Sequence, residues 1–164
     1  PILVTSEGVI DESLDIMVWA LQQNDPQAWL PQTPHDLSAV LPLIRASDTV
    51  FKQHLDRYKY PSRFGLLDGL NDREKGADFL TTLEQRLTQH AFLNGDRWGL
   101  ADVALAPFVR QFAHVDRPWF ESQAWPLLNK WLQSFEQSTA YKAIMHKYKV
   151  WHPDQPSVVF PHDA

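Results

Sequence analysis

The spacing of apolar positions along the chain changes once. Residues 2–10 hold two short runs, Ile2-Leu3-Val4-Thr5 and Val9-Ile10, separated by Ser6-Glu7-Gly8. Short β-branched runs joined by a Gly-bearing turn predict the two strands of a β-hairpin. From Leu14 the spacing becomes helical, with Leu14, Ile16, Met17 and Leu21 following Asp11-Glu12-Ser13. Acids and a Ser at that point mark a helix start, because they meet the free N–H groups and the positive end of the helix dipole. This helix is expected to end near Gln23, before the turn signal Asn24-Asp25-Pro26.

After a link at 24–34 the pattern is helical almost throughout. Thr33-Pro34-His35-Asp36 supplies an N-cap, a Pro at the first helical position and an acid at the third. Leu37, Val40, Leu41, Ile44, Val50, Phe51 and Leu55 then carry a helix as far as Tyr58, and Pro42 within it predicts a kink or a later start. Tyr60-Pro61-Ser62 ends the segment, and a loop with Gly65 and Gly69 leads to a helix over 72–89 on Phe79, Leu80, Leu83 and Leu87. The next, over 100–113, is apolar nearly all round, which predicts a central, buried helix. Two more are expected over 125–135 and 139–147, and the Pro-rich tail 150–164 reads as extended. The fold expected is mainly α, with a hairpin and one helix ahead of an all-helical unit at 35–149. A two-stranded hairpin does not hold together alone in water, so it is expected to pair with further strands, which this sequence does not contain.

Composition narrows the function. The 164 residues are 44% hydrophobic and 21% charged, enough for one well-filled domain or a domain and part of another. Seven Trp predict large aromatic anchors between helices. A net charge of −5 without a dense Lys/Arg cluster argues against a nucleic-acid partner. No apolar stretch has membrane-spanning length and none reads as a leader, which argues against a membrane partner. Zero Cys excludes disulfides and thiol catalysis by this chain and fits a cytoplasmic location. The seven His lack metal-ligand spacing: a break separates His146 from His152, and His114 lies with Asp116 at a helix end. No metal ligand and no catalytic residue is assigned. The amine of Pro1 offers a general base of the kind used by tautomerases, but those are short strand–helix–strand units and this chain turns helical.

One stretch carries more information, Asn94-Gly95-Asp96-Arg97-Trp98-Gly99-Leu100-Ala101-Asp102-Val103. With Gly99 as N-cap, Asp102 is the third helical residue and its carboxylate reaches back to the N-cap amide, while Trp98 and Val103 stand at hydrophobic-staple positions. Taken alone, that is structural capping. The pattern resembles the capping signature in the helical domain of glutathione transferases, in which Gly, three residues, Ser or Thr, two residues and Asp open the core helix. Gly95 and Asp102 match, Leu100-Ala101-Asp102-Val103-Ala104 is similar to the usual continuation, and Gly99 replaces the Ser or Thr. Pro1-Ile2-Leu3, Gly8 and Ile10-Asp11-Glu12-Ser13 with Ile16 then resemble the last part of that family's thioredoxin-like domain. The phrase Asp15 to Pro26 is similar to a bacterial subgroup with a Cys-type, omega- or glutaredoxin-like active site.

The resemblance implies a glutathione-transferase C-terminal helical bundle preceded by the hairpin–helix remnant of a thioredoxin-like domain (1–23), and a homodimer. It implies glutathione as co-substrate and a small electrophile or disulfide as second substrate. Pro1 and Ile2 would lie at the strand entrance of the glutathione site. Ser13 would take the glutathione α-carboxylate on its hydroxyl and backbone N–H, and Glu12 would face the α-amino group. Without the family, Asp11, Glu12 and Ser13 are adequately explained as helix-capping residues. Pro1 aligns with an internal position, so the resemblance implies that the family's first two strands and helices, with its catalytic Cys, Ser or Tyr, belong to another chain, were removed, or are absent from a truncated homologue that uses the helical scaffold for something else. Tyr58, Tyr60, Arg63, Trp119 and Phe120 are candidates for an acceptor pocket or for contacts between helices. Two functions follow from this reading: a glutathione-dependent transferase or thiol reductase whose site is completed from outside this chain, and a non-catalytic scaffold or dimerisation module.

Overall fold

Strands β1 (Leu3–Thr5) and β2 (Gly8–Ile10) pair antiparallel, with Leu3 opposite Ile10, Val4 opposite Val9 and Thr5 opposite Gly8. The Thr5 hydroxyl donates to the Gly8 carbonyl (3.0 Å), and Gly8 takes φ 149°, a value that favours Gly. The computed structural model of the chain describes residues 1–158, apart from the side chains of Pro34 and His35. Eight α-helices follow the hairpin among these residues: α1 (Ser13–Gln23), α2 (Pro34–Ala46), α3 (Lys52–Lys59), α4 (Leu70–Leu87), α5 (Leu100–Ala113), α6 (Arg117–Ser122), α7 (Pro126–Gln137) and α8 (Thr139–Ile144).

The helix entered at Thr33 is capped as its sequence indicates, the Thr33 hydroxyl accepting from the Asp36 N–H at 3.1 Å. It continues through Pro42 to Ala46 and then widens into a π turn over Ser47–Phe51 before resuming as α3. The break therefore falls after the proline. There the Thr49 hydroxyl donates to the Arg45 carbonyl (2.7 Å), a back-bond that loosens the backbone ladder. Helix α8 ends at Ile144, short of the expected 147. Helix α6 was not expected, although Asp116-Arg117-Pro118 is a start signal: the Asp116 carboxylate accepts from the Trp119 N–H at 3.1 Å. Residues 150–158 are exposed and irregular, as expected of an extended tail; the rest of the tail, 159–164, lies outside the described residues.

Helix α5 is the centre of the core. Leu100, Ala101, Ala104, Leu105, Val109 and Phe112 are buried, and α2, α3 and α7 pack around it. Helix α4 packs between α3 and α7 and comes close enough to its neighbours that two positions admit only Gly. A Cβ on Gly69 would meet the Tyr58 backbone at 2.5 Å, and one on Gly76 would overlap the Phe112 ring. The aromatic anchors predicted from the Trp content are present: Trp98 stacks on Trp131 (5.8 Å), and Trp125 meets Trp119 edge-on (5.8 Å) and Phe120 at 5.4 Å. No helix among the described residues is long and apolar enough to cross a membrane.

Candidate functional site

The start of α1 differs from the other helix starts. Side chains cap α2 (Thr33), α6 (Asp116) and α8 (Ser138); Asp68 accepts from Leu70 N–H at the start of α4, and Glu84 from Leu127 and Leu128 N–H at the start of α7. Glu12 is the N-cap of α1, in an extended conformation (φ −101°, ψ 136°), yet its side chain caps nothing. Ser13 follows as the first helical residue, half-buried, and Asp15 is exposed. A helix start of this kind keeps its N–H donors and the positive dipole end available to an anion. Pro1 and Ile2 at the strand entrance are also exposed, Ile2 at 73%.

The charge at this end of α1 is felt at the π turn of the helical unit. Asp48 is half-buried, and burial, then the charge of Glu12, push its carboxyl above the ordinary 3.8, while Lys52 opposes them. Asp48, Thr49, Lys52, Gln53, Asp56 and Phe64 line an open cleft of about 380 Å³, in which Lys52 and Asp56 pair at 2.6 Å. Asp48 and Lys52 were not singled out from the sequence, because Asp48 comes under the charge of Glu12, 36 positions away in the chain, only in the folded structure. What signal there was lay in Ser47-Asp48-Thr49, three short polar residues inside an otherwise apolar helical pattern.

The aromatic candidates divide between core and surface. Tyr58 is buried against Phe112 (4.9 Å), Phe120 is fully buried, and Trp119 lies beside Phe112 (6.2 Å) with Arg73 over its ring at 4.3 Å. These three hold helices together. Tyr60 and Arg63 stack on one another at the end of α3, 4.1 Å from guanidinium carbon to ring centre, and neither lines the cleft at Asp48.

Two buried carboxylates organise the scaffold. Asp102, fully buried, accepts from Gly99 N–H (3.1 Å), as its position in the sequence implies, and also from Leu93 N–H (2.9 Å) and Trp131 Nε1–H (2.8 Å). Burial pushes its carboxyl up despite these three donors. The first N–H of α5 is taken by the link: Leu100 N–H donates to the Trp29 carbonyl at 2.9 Å. The link is folded for this by Asp25, whose carboxylate accepts from Trp29 and Leu30 N–H, both at 2.8 Å, and by Ala28 in the left-handed region at φ 52°. Asp72 is the second. Burial raises its carboxyl, but bonds from His54 (2.8 Å) and Arg57 (3.2 Å) outweigh that and hold it below 3.8. His114 pairs with Glu136 at 2.6 Å, while its sequence neighbour Asp116 caps α6.

Comparison with known proteins agrees with this architecture. The family model described as glutathione S-transferase, C-terminal domain, matches residues 52–134. A curated relative, probable glutathione S-transferase parA of Nicotiana tabacum, is 26% identical over 164 residues, covering 92% of this chain and 69% of its own length. Among solved structures, glutathione transferase F2 of Populus trichocarpa superposes with a TM-score of 0.72 at 16% identity, over 88% of this chain and 73% of that one. A glutathione S-transferase from Rhodospirillum rubrum F11 gives 0.70 at 17% identity, over 96% and 74%. At such identities the solved structures speak for the fold alone, whereas the domain match spans half of the chain and falls on the helices that Asp102 and Asp72 hold together. The chain belongs to the glutathione S-transferase family.

Proposed function

We propose that the start of α1 is the γ-glutamyl half of a glutathione site, with glutathione conjugation or glutathione-dependent thiol reduction as the activity it serves. The observation that supports this most is the N-terminus of α1, which keeps its donors free beside Ser13 while the other separate helix starts are capped or tied by the protein itself. The Ser13 hydroxyl and first-turn N–H groups take the glutathione α-carboxylate, an anion at a positive dipole end. Glu12 faces the α-amino group, and Asp48 adds a second negative charge whose proximity to Glu12 an ammonium would relieve. Pro1 and Ile2 flank the cysteinyl part. Asp48, Thr49, Gln53 and Phe64 form the helical wall of the cleft, where a small electrophile or a mixed disulfide would lie. The Cys-type, omega- or glutaredoxin-like subgroup is part of the same proposal and rests on the residues from Asp15 to Pro26.

Calorimetric titration of the chain with glutathione tests the half-site. Saturable binding is expected, weakened by about 10- to 100-fold in Ser13→Ala, the equivalent of one charge-assisted hydrogen bond. Heats no larger than those of buffer would refute it. A second reading, a non-catalytic scaffold or dimerisation module, is favoured by the outer face of the hairpin, where the opposed pair Val4 and Val9 stands 74% and 64% exposed. That reading requires a stable oligomer in sedimentation together with no conjugation of a general electrophile.

A further inference from the structure

A second cleft, of about 310 Å³, lies at the far end of α3 and is lined by Lys59, Tyr60, Arg110, Gln111, His114 and Val115. Its charge is unbalanced. Glu136 is the carboxylate shared by three side chains around it: the His114 ring through Nε2 at 2.6 Å, the Arg117 guanidinium at 3.0 Å, and Arg110 Nε only at 3.9 Å, beyond hydrogen-bond reach. Arg117 draws on Glu121 as well, at 2.7 Å, but Arg110 is left with a buried Nε–H that has no acceptor. Lys59, which lines the same cleft, is held by a neutral group, its Nζ donating to Gln111 Oε1 at 2.9 Å. Arg63 stacks on the same Tyr60 ring that Lys59 approaches at 4.9 Å. Among the described residues neither Lys59 nor Arg63 has a carboxylate within ion-pair distance. A positive cleft on a protein whose net charge is −5 concentrates anions locally against the overall field.

We propose that this cleft binds a small oxyanion, a carboxylate or phosphate, between Lys59 and Arg110. Arg110 lines the cleft and carries a planar guanidinium able to present paired donors to two oxygens, and Lys59 supplies a point charge already positioned by Gln111. The Tyr60 ring and Val115 form an apolar wall suited to the body of an organic anion. The site is separate from Glu12 and Ser13, and the inference does not depend on the proposed glutathione site.

Titration of the isotopically labelled chain by NMR tests it, with inorganic phosphate and benzoate as separate probes at low salt. The expected result is a saturable shift of the Gln111 side-chain amide and of the Lys59 and Arg110 signals, half-complete in the range of about 1–10 mM. Lys59→Gln, which keeps a polar side chain at this half-buried position near the end of α3, is expected to weaken binding about tenfold, and Arg110→Gln at least as much; Ser13→Ala is expected to leave it unchanged. Saturation by benzoate at lower concentration than phosphate identifies an organic carboxylate as the ligand class, and the reverse order a phosphate. Signals that do not move, or move equally in wild type and Lys59→Gln, overturn the proposal.

Discussion

Asp102→Ala is expected to be among the most damaging single substitutions in this protein. The carboxylate is fully buried and accepts three N–H bonds, from Leu93, Gly99 and Trp131. Truncation leaves all three donors without a partner, each costing about 1–3 kcal/mol when water cannot reach it. Removing a carboxylate that burial itself disfavours returns part of that, so the expected net loss is about 3–5 kcal/mol, a large share of a typical domain stability. Asp102→Asn keeps an oxygen for Leu93 and Trp131 but turns an amide N–H₂ towards Gly99 N–H, and is expected to cost about 1–2 kcal/mol. The sign with pH also follows. The folded carboxyl lies above its ordinary value, so its contribution is fully present below the ordinary carboxylate range and is lost as pH rises through the raised folded value; Asp102→Asn removes that dependence. Urea unfolding followed by Trp fluorescence measures each variant, with Thr33→Ala, an exposed cap, as a control expected at about 1 kcal/mol. A double cycle with Trp131→Phe isolates the indole bond and is expected to show about 1 kcal/mol of coupling. If Asp102→Ala cost no more than Thr33→Ala, the carboxylate would be an ordinary local cap and the reasoning would fail.

Gly76→Ala tests the α4–α5 contact. In an exposed helix the change would stabilise by about 1 kcal/mol, but here the new methyl overlaps the Phe112 ring, which Phe51 and Tyr58 hold in place, so a loss of about 1–3 kcal/mol is expected in the same unfolding assay. Asp72 has the opposite pH sign to Asp102: its folded carboxyl is depressed, so the stability it contributes is present above 3.8 and is lost as pH falls through the folded value. Wild type is expected to lose urea resistance faster than Asp72→Asn on acidification below about pH 4, and parallel curves would count against the His54–Arg57 partnership.

Element types and most boundaries were legible because they are local. Hairpin, α1 and α5 follow from spacing and start signals within a few residues, and the Gly99–Asp102 cap follows from a three-residue offset. The α6 signal, Asp116-Arg117-Pro118, is equally local, and so is the Thr49–Arg45 back-bond at the π turn, although Pro42 points to an earlier break. Glu12 and Ser13 were readable as a helix start, but whether that start stays open depends on no side chain folding back over it. By itself, then, the sequence determined which segments are helical, which face of each is apolar, and that Asp102 opens the central helix. Only the tertiary structure decided that the same carboxylate also receives Leu93 and Trp131, that the Trp29 carbonyl takes the first N–H of α5, and that Asp48 comes under the charge of Glu12. The physical reason is range. Caps and periodicity act within one turn of helix, whereas buried donors and neighbouring charges find their partners only after residues tens of positions apart have been packed together.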